Sequence, residues 1–146
     1  MNASKKKYQL KSDITDENRI IGISSHENDY RLSWALNNQF NISLKKVEDL
    51  IIEVPEKDTP LKFSTYLFYD ENSNIQYKLL SNRCENGYLL KEYKNIDYIL
   101  HLKGNFDNND INYILQKIKK NECVLFSFII DINNLKTKFK TYIINY

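Results

Sequence analysis

The hydrophobic positions of the N-terminal part of the chain predict a strand followed by an amphipathic helix. Residues 20–24 form a short apolar run, which is typical of a buried strand. Ser24, with Glu27 three residues later, matches the capping-box pattern and predicts a helix that ends at about Phe40. The apolar residues of this helix share one stripe at helical spacing: Leu32, Ala35, Leu36 and Phe40.

The central part of the chain has the pattern of strands. Residues 63–69 and 75–80 alternate between apolar and polar positions on either side of a polar turn at 70–74, which predicts a hairpin. A shorter strand is predicted at residues 50–54, before the hairpin. The polar loop at residues 81–87 follows the hairpin and separates it from the next strand.

The last third of the chain predicts two more strands and a second helix. Residues 96–103 alternate strictly, and the strand they predict carries His101 on a half-exposed face. Asp107 is predicted to cap a helix whose apolar residues again form one stripe: Ile111, Ile114, Leu115 and Ile118. Residues 124–130 predict a central strand, covered on both faces or on one face and an edge. The segment from residue 131 onward fits either a helix or a strand.

The order of these elements predicts the α+β class. A β-α-β unit, a hairpin and a second β-α-β unit indicate a mainly antiparallel sheet with two helices packed on one face. A ferredoxin-like arrangement is one way to close such a sheet. The length of 146 residues fits one core, so we expect a single domain at residues 19–146. The polar residues 1–18 are predicted to form a flexible N-terminal arm.

Composition excludes several classes of protein. Hydrophobic residues make up 42% of the chain, which is too many for a disordered protein. No apolar run approaches the ~20 residues of a membrane span, and no apolar segment follows the basic N-terminus as it would in a signal peptide. We therefore expect a cytoplasmic protein with no membrane partner.

The sequence carries no motif for catalysis, metal binding or a cofactor. Two cysteines, Cys84 and Cys123, make neither a disulfide framework nor a metal site, so free thiols are expected. Three glycines are too few for a P-loop or a dinucleotide-binding loop, and the nucleophile motif Gly-x-Ser-x-Gly is absent. His26 is expected to be a neutral histidine at a helix start. We predict that the protein is not an enzyme and needs no cofactor.

Residues 90–98 read Leu-Lys-Glu-Tyr-Lys-Asn-Ile-Asp-Tyr, which resembles the signature of the IPExxxVDY family, small uncharacterised proteins of Bacteroidota. The family's Ile-Pro-Glu is Leu-Lys-Glu here, and its Val-Asp-Tyr is Ile-Asp-Tyr. Residues 22–37 and 81–88 also resemble the family, and the likeness extends over about residues 20–135. The resemblance implies a bacterial, cytoplasmic protein and identifies no catalytic residue. Lys91 stands where the family has proline, so the bend before the next strand is expected to be looser.

The first helix presents one candidate binding surface. At about 100° per residue, Tyr30 and Trp34 fall almost opposite Leu32 and Leu36, with Asn37 beside them. Trp and Tyr are enriched at binding hot spots, so this side of the helix is predicted to bind a partner. The alternatives are that the C-terminal segment or the N-terminal arm covers these rings, or that the helix is sandwiched between other elements.

The polar loop at residues 81–87 is the second candidate. Functional side chains often lie on such loops, and here they comprise three loop residues and two acidic residues that follow: Asn82, Arg83, Asn86, Glu92 and Asp97. Gly87 is predicted to turn the chain with a positive φ. The alternative is a structural loop whose Asn and Arg side chains bind the local backbone.

These features favour a cytoplasmic protein-interaction module that binds a protein partner through Trp34 or through the Arg83 loop. RNA or ribosome association is an alternative that rests on the basic second half of the chain: Lys117, Lys119, Lys120, Lys136, Lys138 and Lys140. A small-ligand sensor or enzyme that uses the loop is another, and it predicts a pocket near Arg83 and Asp97. A homodimer is expected if the strand at 124–130 lies at a sheet edge.

Overall fold

The computed structural model describes residues 18–144, which form two sheets and three α-helices. The strands of the large sheet are β1 Asn18–Ser24, β2 Lys45–Ile52, β3 Leu61–Asp70, β4 Ile75–Ser81, β7 Tyr98–Lys103 and β8 Phe126–Ile130. The short strands β5 Arg83–Cys84 and β6 Gly87–Tyr88 pair with each other. The helices are α1 Asp29–Phe40, α2 Asn108–Lys119 and α3 Thr137–Ile144, with 3-10 turns at Lys91–Tyr93 and Ile132–Asn134.

The six strands of the large sheet lie in the order β2-β3-β4-β7-β1-β8, and every neighbouring pair is antiparallel. The α+β class with a mainly antiparallel sheet is thereby confirmed. The strands β8-β1-β7-β4 have the order expected of a ferredoxin-like arrangement, and α2 connects β7 to β8 across one strand, β1, as in that arrangement. The helix α1 departs from it, because it connects β1 to β2 across three strands. The strands β2 and β3 are added at one side and extend the sheet.

Both predicted helices pack on one face of the sheet. Leu32 and Leu36 of α1 and Ile114 and Ile118 of α2 join a single core cluster with residues of the central strands. The helix α2 begins after Asp107, which is its cap as the sequence predicts. The structure adds a capping box, in which the carboxylates of Asp107 and Asp110 each accept from the other residue's backbone N–H. The apolar stripes of the two helices therefore define the first core.

The second face of the sheet is covered by the C-terminal segment, which is a helix. Leu135 and Ile143 are buried in a second core cluster with Phe63 and Ile99. Because this face is covered, the half-exposed position expected for His101 is wrong, and its side chain is fully buried. The ring nitrogen Nε2 of His101 lies 2.8 Å from Oδ1 of Asn18.

Three further expectations about elements need correction. Ser24 does not cap α1 but ends β1, and Asn28 is the cap, with Oδ1 accepting from the Arg31 N–H at 2.8 Å. The apolar segment at 124–130 is not central, because β8 is an edge strand that begins only at Phe126. The strand predicted at 50–54 is longer and begins earlier, at Lys45.

The predicted arm at residues 1–18 lies outside the described residues except for Asn18, which is the first residue of β1. None of the helices in residues 18–144 has the length and apolar character that crossing a membrane requires.

Candidate functional site

Two aromatic rings project from the outer side of α1. Tyr30 is 71% exposed and Trp34 is 49% exposed, as their helical angles predict. The guanidinium carbon of Arg31 lies 5.0 Å from the centre of the Trp34 ring, which is the distance of a cation–π contact. We call these three residues, Tyr30, Arg31 and Trp34, the Trp34 surface. It combines aromatic area with a positive charge.

The Trp34 surface is held by a well-anchored helix start. The carboxylate of Asp29 accepts a hydrogen bond from the Ser64 hydroxyl of β3, which ties the first turn of α1 to the sheet. The phenol of Tyr98 donates to the backbone carbonyl of Glu27 at 2.7 Å. Burial and the nearby negative charge of Asp29 raise the pKa of this phenol well above its usual range, so the donating proton is retained. The surface therefore rests on a rigid support.

Asn37 lies near this surface but its amide bonds to the chain that follows α1. Its Oδ1 accepts from the Leu44 N–H at 2.7 Å, and its Nδ2 donates to the Leu44 carbonyl at 3.2 Å. Both ends of the amide are thus engaged in holding the connection to β2. Asn37 positions this connection and offers little hydrogen-bonding capacity to a partner.

Asn82 is completely buried and holds the polar loop together. Its Nδ2 donates to the carbonyls of Tyr93 at 2.9 Å and Ile96 at 3.0 Å, and its Oδ1 accepts from the Leu90 N–H at 2.7 Å. This is the alternative considered for the loop, in which the asparagine binds the chain's own backbone. Asn82 cannot contact a ligand in this arrangement.

Arg83 and Asp97 are brought together by the fold. Nε of Arg83 lies 2.9 Å from Oδ1 of Asp97, and Nη2 donates to the Lys94 carbonyl at 3.1 Å. The second oxygen of Asp97 accepts from the Ser25 N–H at 2.8 Å and from the Ser24 hydroxyl at 3.3 Å. Because both carboxylate oxygens accept hydrogen bonds from other segments, Asp97 joins these segments and is poorly placed to act as a free acid or base.

The other residues predicted for the loop are spread over its outer side. Nδ2 of Asn86 donates to the Thr59 hydroxyl at 3.1 Å, which ties the loop to the segment before β3. The positive φ expected of Gly87 is wrong, since no described glycine has one. A Cβ at Gly87 would lie 3.1 Å from Leu61, so this glycine serves close packing. Glu92 lies exposed in the 3-10 turn.

The three stretches that resemble the IPExxxVDY family meet around Asp97. Ser24 and Ser25 come from the first stretch, Arg83 from the second, and Asp97 itself from the third. Tyr98 of the third stretch also bonds back to the first, at Glu27. The residues that carry the resemblance therefore form one structural junction between β1, the polar loop and β7.

Sequence reasoning missed a pair of buried basic residues on the second face of the sheet. Lys78 of β4 lies opposite His101 of β7, and its ammonium donates to the Ile143 carbonyl of α3. Burial and the charge of Lys103 lower the pKa of Lys78 to about 8, and burial with the charges of Lys78 and Lys103 lowers that of His101 to about 3. Strand alternation places both residues on one face, but the sequence does not show that α3 covers it.

The lysines considered for RNA binding do not share one surface. Lys117 and Lys119 belong to α2 on the first face of the sheet, whereas Lys138 and Lys140 belong to α3 on the second. Lys117 also bonds the Gln39 carbonyl at 3.3 Å and lies over the Phe40 ring. The two groups of lysines therefore lie on helices at opposite faces of the sheet.

Within residues 18–144, no group of three or more His, Cys, Asp and Glu side chains is arranged to hold a metal ion. Comparison of the sequence with protein-family models gives no match, and comparison with curated proteins gives none either.

Proposed function

We propose that this protein is a non-enzymatic interaction module of the cytoplasm that binds a protein partner through the Trp34 surface. The observation that carries the proposal is the exposure of Trp34, a residue that a fold of this size would ordinarily bury in large part. The same helix turns Leu32 and Leu36 into the core, so the outward position of Trp34 does not result from a shortage of buried sites.

The chemistry of the surface favours a partner with an apolar pocket next to an acidic group. Trp, Tyr and Arg are the residues most enriched at hot spots of protein interfaces. A partner that covers Trp34 would also cover the Arg31 guanidinium, whose charge then needs a carboxylate or carbonyl acceptor. Such a partner would be recognised by shape and by charge together.

The polar loop supports this surface and is the weaker candidate for contact. The amide of Asn82 and the carboxylate of Asp97 are both engaged in joining segments of the chain. Through Ser25 this junction fixes the chain directly before α1. Mutations in the loop would therefore affect binding indirectly, by loosening the start of α1.

We also propose that the chain is a divergent member of the IPExxxVDY family. The support is the convergence of all three resembling stretches at Asp97, since stretches that share a structural junction constrain one another. Lys91 stands where the family signature has proline and is the first residue of the 3-10 turn. Unlike proline, lysine has a backbone N–H and no ring that fixes φ.

The test is affinity capture of the tagged full chain from the cytoplasm of the source cells, with and without nuclease. Wild type, Trp34→Ala and Arg31→Ala are compared with Tyr113→Ala, a matched control that removes a 64% exposed aromatic ring from α2. We expect a stoichiometric protein that survives nuclease, is lost with Trp34→Ala, is weakened with Arg31→Ala and is retained with Tyr113→Ala.

Two results would contradict the proposal. Capture that is equal for Trp34→Ala and Tyr113→Ala would place the interface elsewhere. Recovery of ribosomal or RNA-binding proteins alone, all lost on nuclease treatment, would favour RNA association instead. Circular dichroism of each variant checks that the fold is intact, which is expected because both rings are exposed.

A further inference from the structure

The two edges of the large sheet differ in how they are protected. The edge strand β2 carries four charged residues among its eight, Lys45, Lys46, Glu48 and Asp49, and its pairing with β3 shifts register between Val47 and Leu50. Charges and bulges are the usual means by which proteins prevent an edge from pairing with another chain. The edge formed by β2 is therefore closed to further strands.

The opposite edge, β8, has none of these protections. Its sequence is Phe-Ser-Phe-Ile-Ile, without a charge, a proline or a glycine, and its pairing with β1 is regular over all five residues. Within residues 18–144 no strand pairs with its other side. Alternate residues of an antiparallel edge strand point their N–H and C=O groups away from the sheet, so β8 offers a row of backbone partners.

Apolar side chains flank this edge on both faces of the sheet. Leu125 is 56% exposed, Phe126 is 43% exposed and Ile129 is 39% exposed. Phe126 stacks on Phe128, with ring centres 6.3 Å apart, on the side of the second core, whereas Ile129 lies on the opposite side. A strand added to β8 would cover apolar surface on both of its faces.

We infer that β8 pairs antiparallel with β8 of a second copy of this chain, so that two sheets join into one twelve-stranded sheet. Antiparallel pairing of a strand with itself is two-fold symmetric, and with Phe128 at the axis it sets Phe126 opposite Ile130 and Ser127 opposite Ile129. No charge meets a like charge in this pairing. Because β2 closes the other edge of the sheet described for residues 18–144, the assembly ends as a dimer and does not grow into a fibre.

The test is sedimentation equilibrium of the full chain between about 1 and 300 µM, the range in which a moderate dimer dissociates. Ile129→Lys introduces an ammonium opposite the partner strand and should raise the dimer dissociation constant at least about 100-fold. The matched control is Ile51→Lys, a 48% exposed isoleucine on the protected edge strand, and it should leave the constant unchanged.

Amide hydrogen exchange identifies the interface independently. The amides of residues 126–130 that point away from β1 should become protected as concentration rises in wild type but not in Ile129→Lys. Should Ile129→Lys fail to fold, Leu125→Lys lies before the strand at a more exposed site and serves in its place.

Several outcomes would overturn the inference. A monomer at all concentrations does so, and so does a dimer that persists in both Ile129→Lys and Leu125→Lys or that is lost in Ile51→Lys. Protection of the edge amides that does not depend on concentration would show that another part of the same chain covers β8. Loss of the dimer with retention of the Trp34-dependent partner separates this inference from the proposed function.

Discussion

Asn82 and Asp97 join segments that lie far apart in the sequence, and each does so with nearly all of its hydrogen-bonding capacity. Asn82 connects the end of β4 to the 3-10 turn and the start of the β7 region, and Asp97 connects β1 to the polar loop. A buried donor or acceptor that loses its partner costs far more than an average hydrogen bond contributes. Single substitutions here should therefore have large effects on stability.

We predict that Asn82→Ala lowers the free energy of unfolding by about 2–4 kcal/mol, because it leaves the Leu90 N–H without its acceptor and removes a donor from the carbonyls of Tyr93 and Ile96. The control is Asn86→Ala on the outer side of the loop, which should cost no more than about 1 kcal/mol. Urea unfolding followed by tryptophan fluorescence measures both. Equal losses for the two variants would contradict the role assigned to Asn82.

His101 should make the protein sensitive to acid. Its pKa is lowered to about 3 by burial and by the charges of Lys78 and Lys103, so the folded state keeps it neutral while the unfolded state takes up a proton below about pH 6.5. Stability that is present above pH 6.5 is then lost as the pH falls. Between pH 7 and 5, wild type should lose about 2 kcal/mol more than His101→Gln.

The measurement for His101 is urea unfolding at each pH, with His26→Gln as the control. His26 is exposed, so this control removes an imidazole without removing a buried side chain. If His101→Gln and wild type show the same acid dependence, the buried neutral state of His101 is not the cause.

The helices were predicted better than the arrangement of the strands. The apolar stripe of α1 and the Asp107 cap of α2 are local patterns, and each belongs to a helix of the structure. The start of α1 was misplaced, because Ser24 has the sequence of a cap but its hydroxyl bonds to Asp97. Whether the Ser24 hydroxyl caps a helix or bonds to Asp97 depends on a residue more than seventy positions away, and a local sequence pattern does not contain it.

We predict that the N-terminal cap of α1 is supplied by Asn28. Asn28→Ala should lower the free energy of unfolding by about 1 kcal/mol, because the Arg31 N–H loses its acceptor. Glu27→Ala removes the acidic member of the capping box expected from the sequence and should change stability by less than about 0.5 kcal/mol. Thermal unfolding of both variants decides between Asn28 and Ser24 as the cap. A larger effect of Glu27→Ala would favour a helix that begins after Ser24.

The placement of β8 and α3 could not be read from the sequence. The apolar run at 124–130 suits a strand covered on both faces, yet β8 lies at an edge, because strand order follows from pairing between distant segments. His101 appeared half-exposed for the same reason, since α3 covers its face and the tail was equally consistent with a strand. The burial of Asn82 could not be read from the sequence either, because its partners lie in the 3-10 turn and directly before β7.

At the scale of the whole molecule, one sheet separates two cores, and helices cover both of its faces. This division also separates the basic residues of the second half, with Lys119 on α2 and Lys138 on α3. Nucleic-acid affinity depends on how many phosphates are neutralised together on one surface. The lysines of these two helices are therefore not concentrated on one binding surface, and the net charge of the chain is only +2.

We predict that the protein binds a 20-nucleotide single-stranded RNA no more tightly than about 10 µM at physiological salt, which is the range of nonspecific binding. Fluorescence anisotropy measures the affinity over a series of salt concentrations. The double variants Lys119→Gln/Lys120→Gln and Lys138→Gln/Lys140→Gln should each change it by less than about threefold. A submicromolar affinity that falls steeply with salt would contradict this prediction.

The position of β1 between β7 and β8 has a consequence for how the chain folds. Its residue Ile21 pairs with Leu100 on one side and with Ile129 on the other, so this strand has no partner until most of the chain is in place. The hairpin of β3 and β4, with β2 beside it, closes only short loops and should form first. Although β1 is the first of the described strands along the chain, it is therefore expected to join the sheet late. The folding rate should then depend on how fast β1 pairs with β7 and β8.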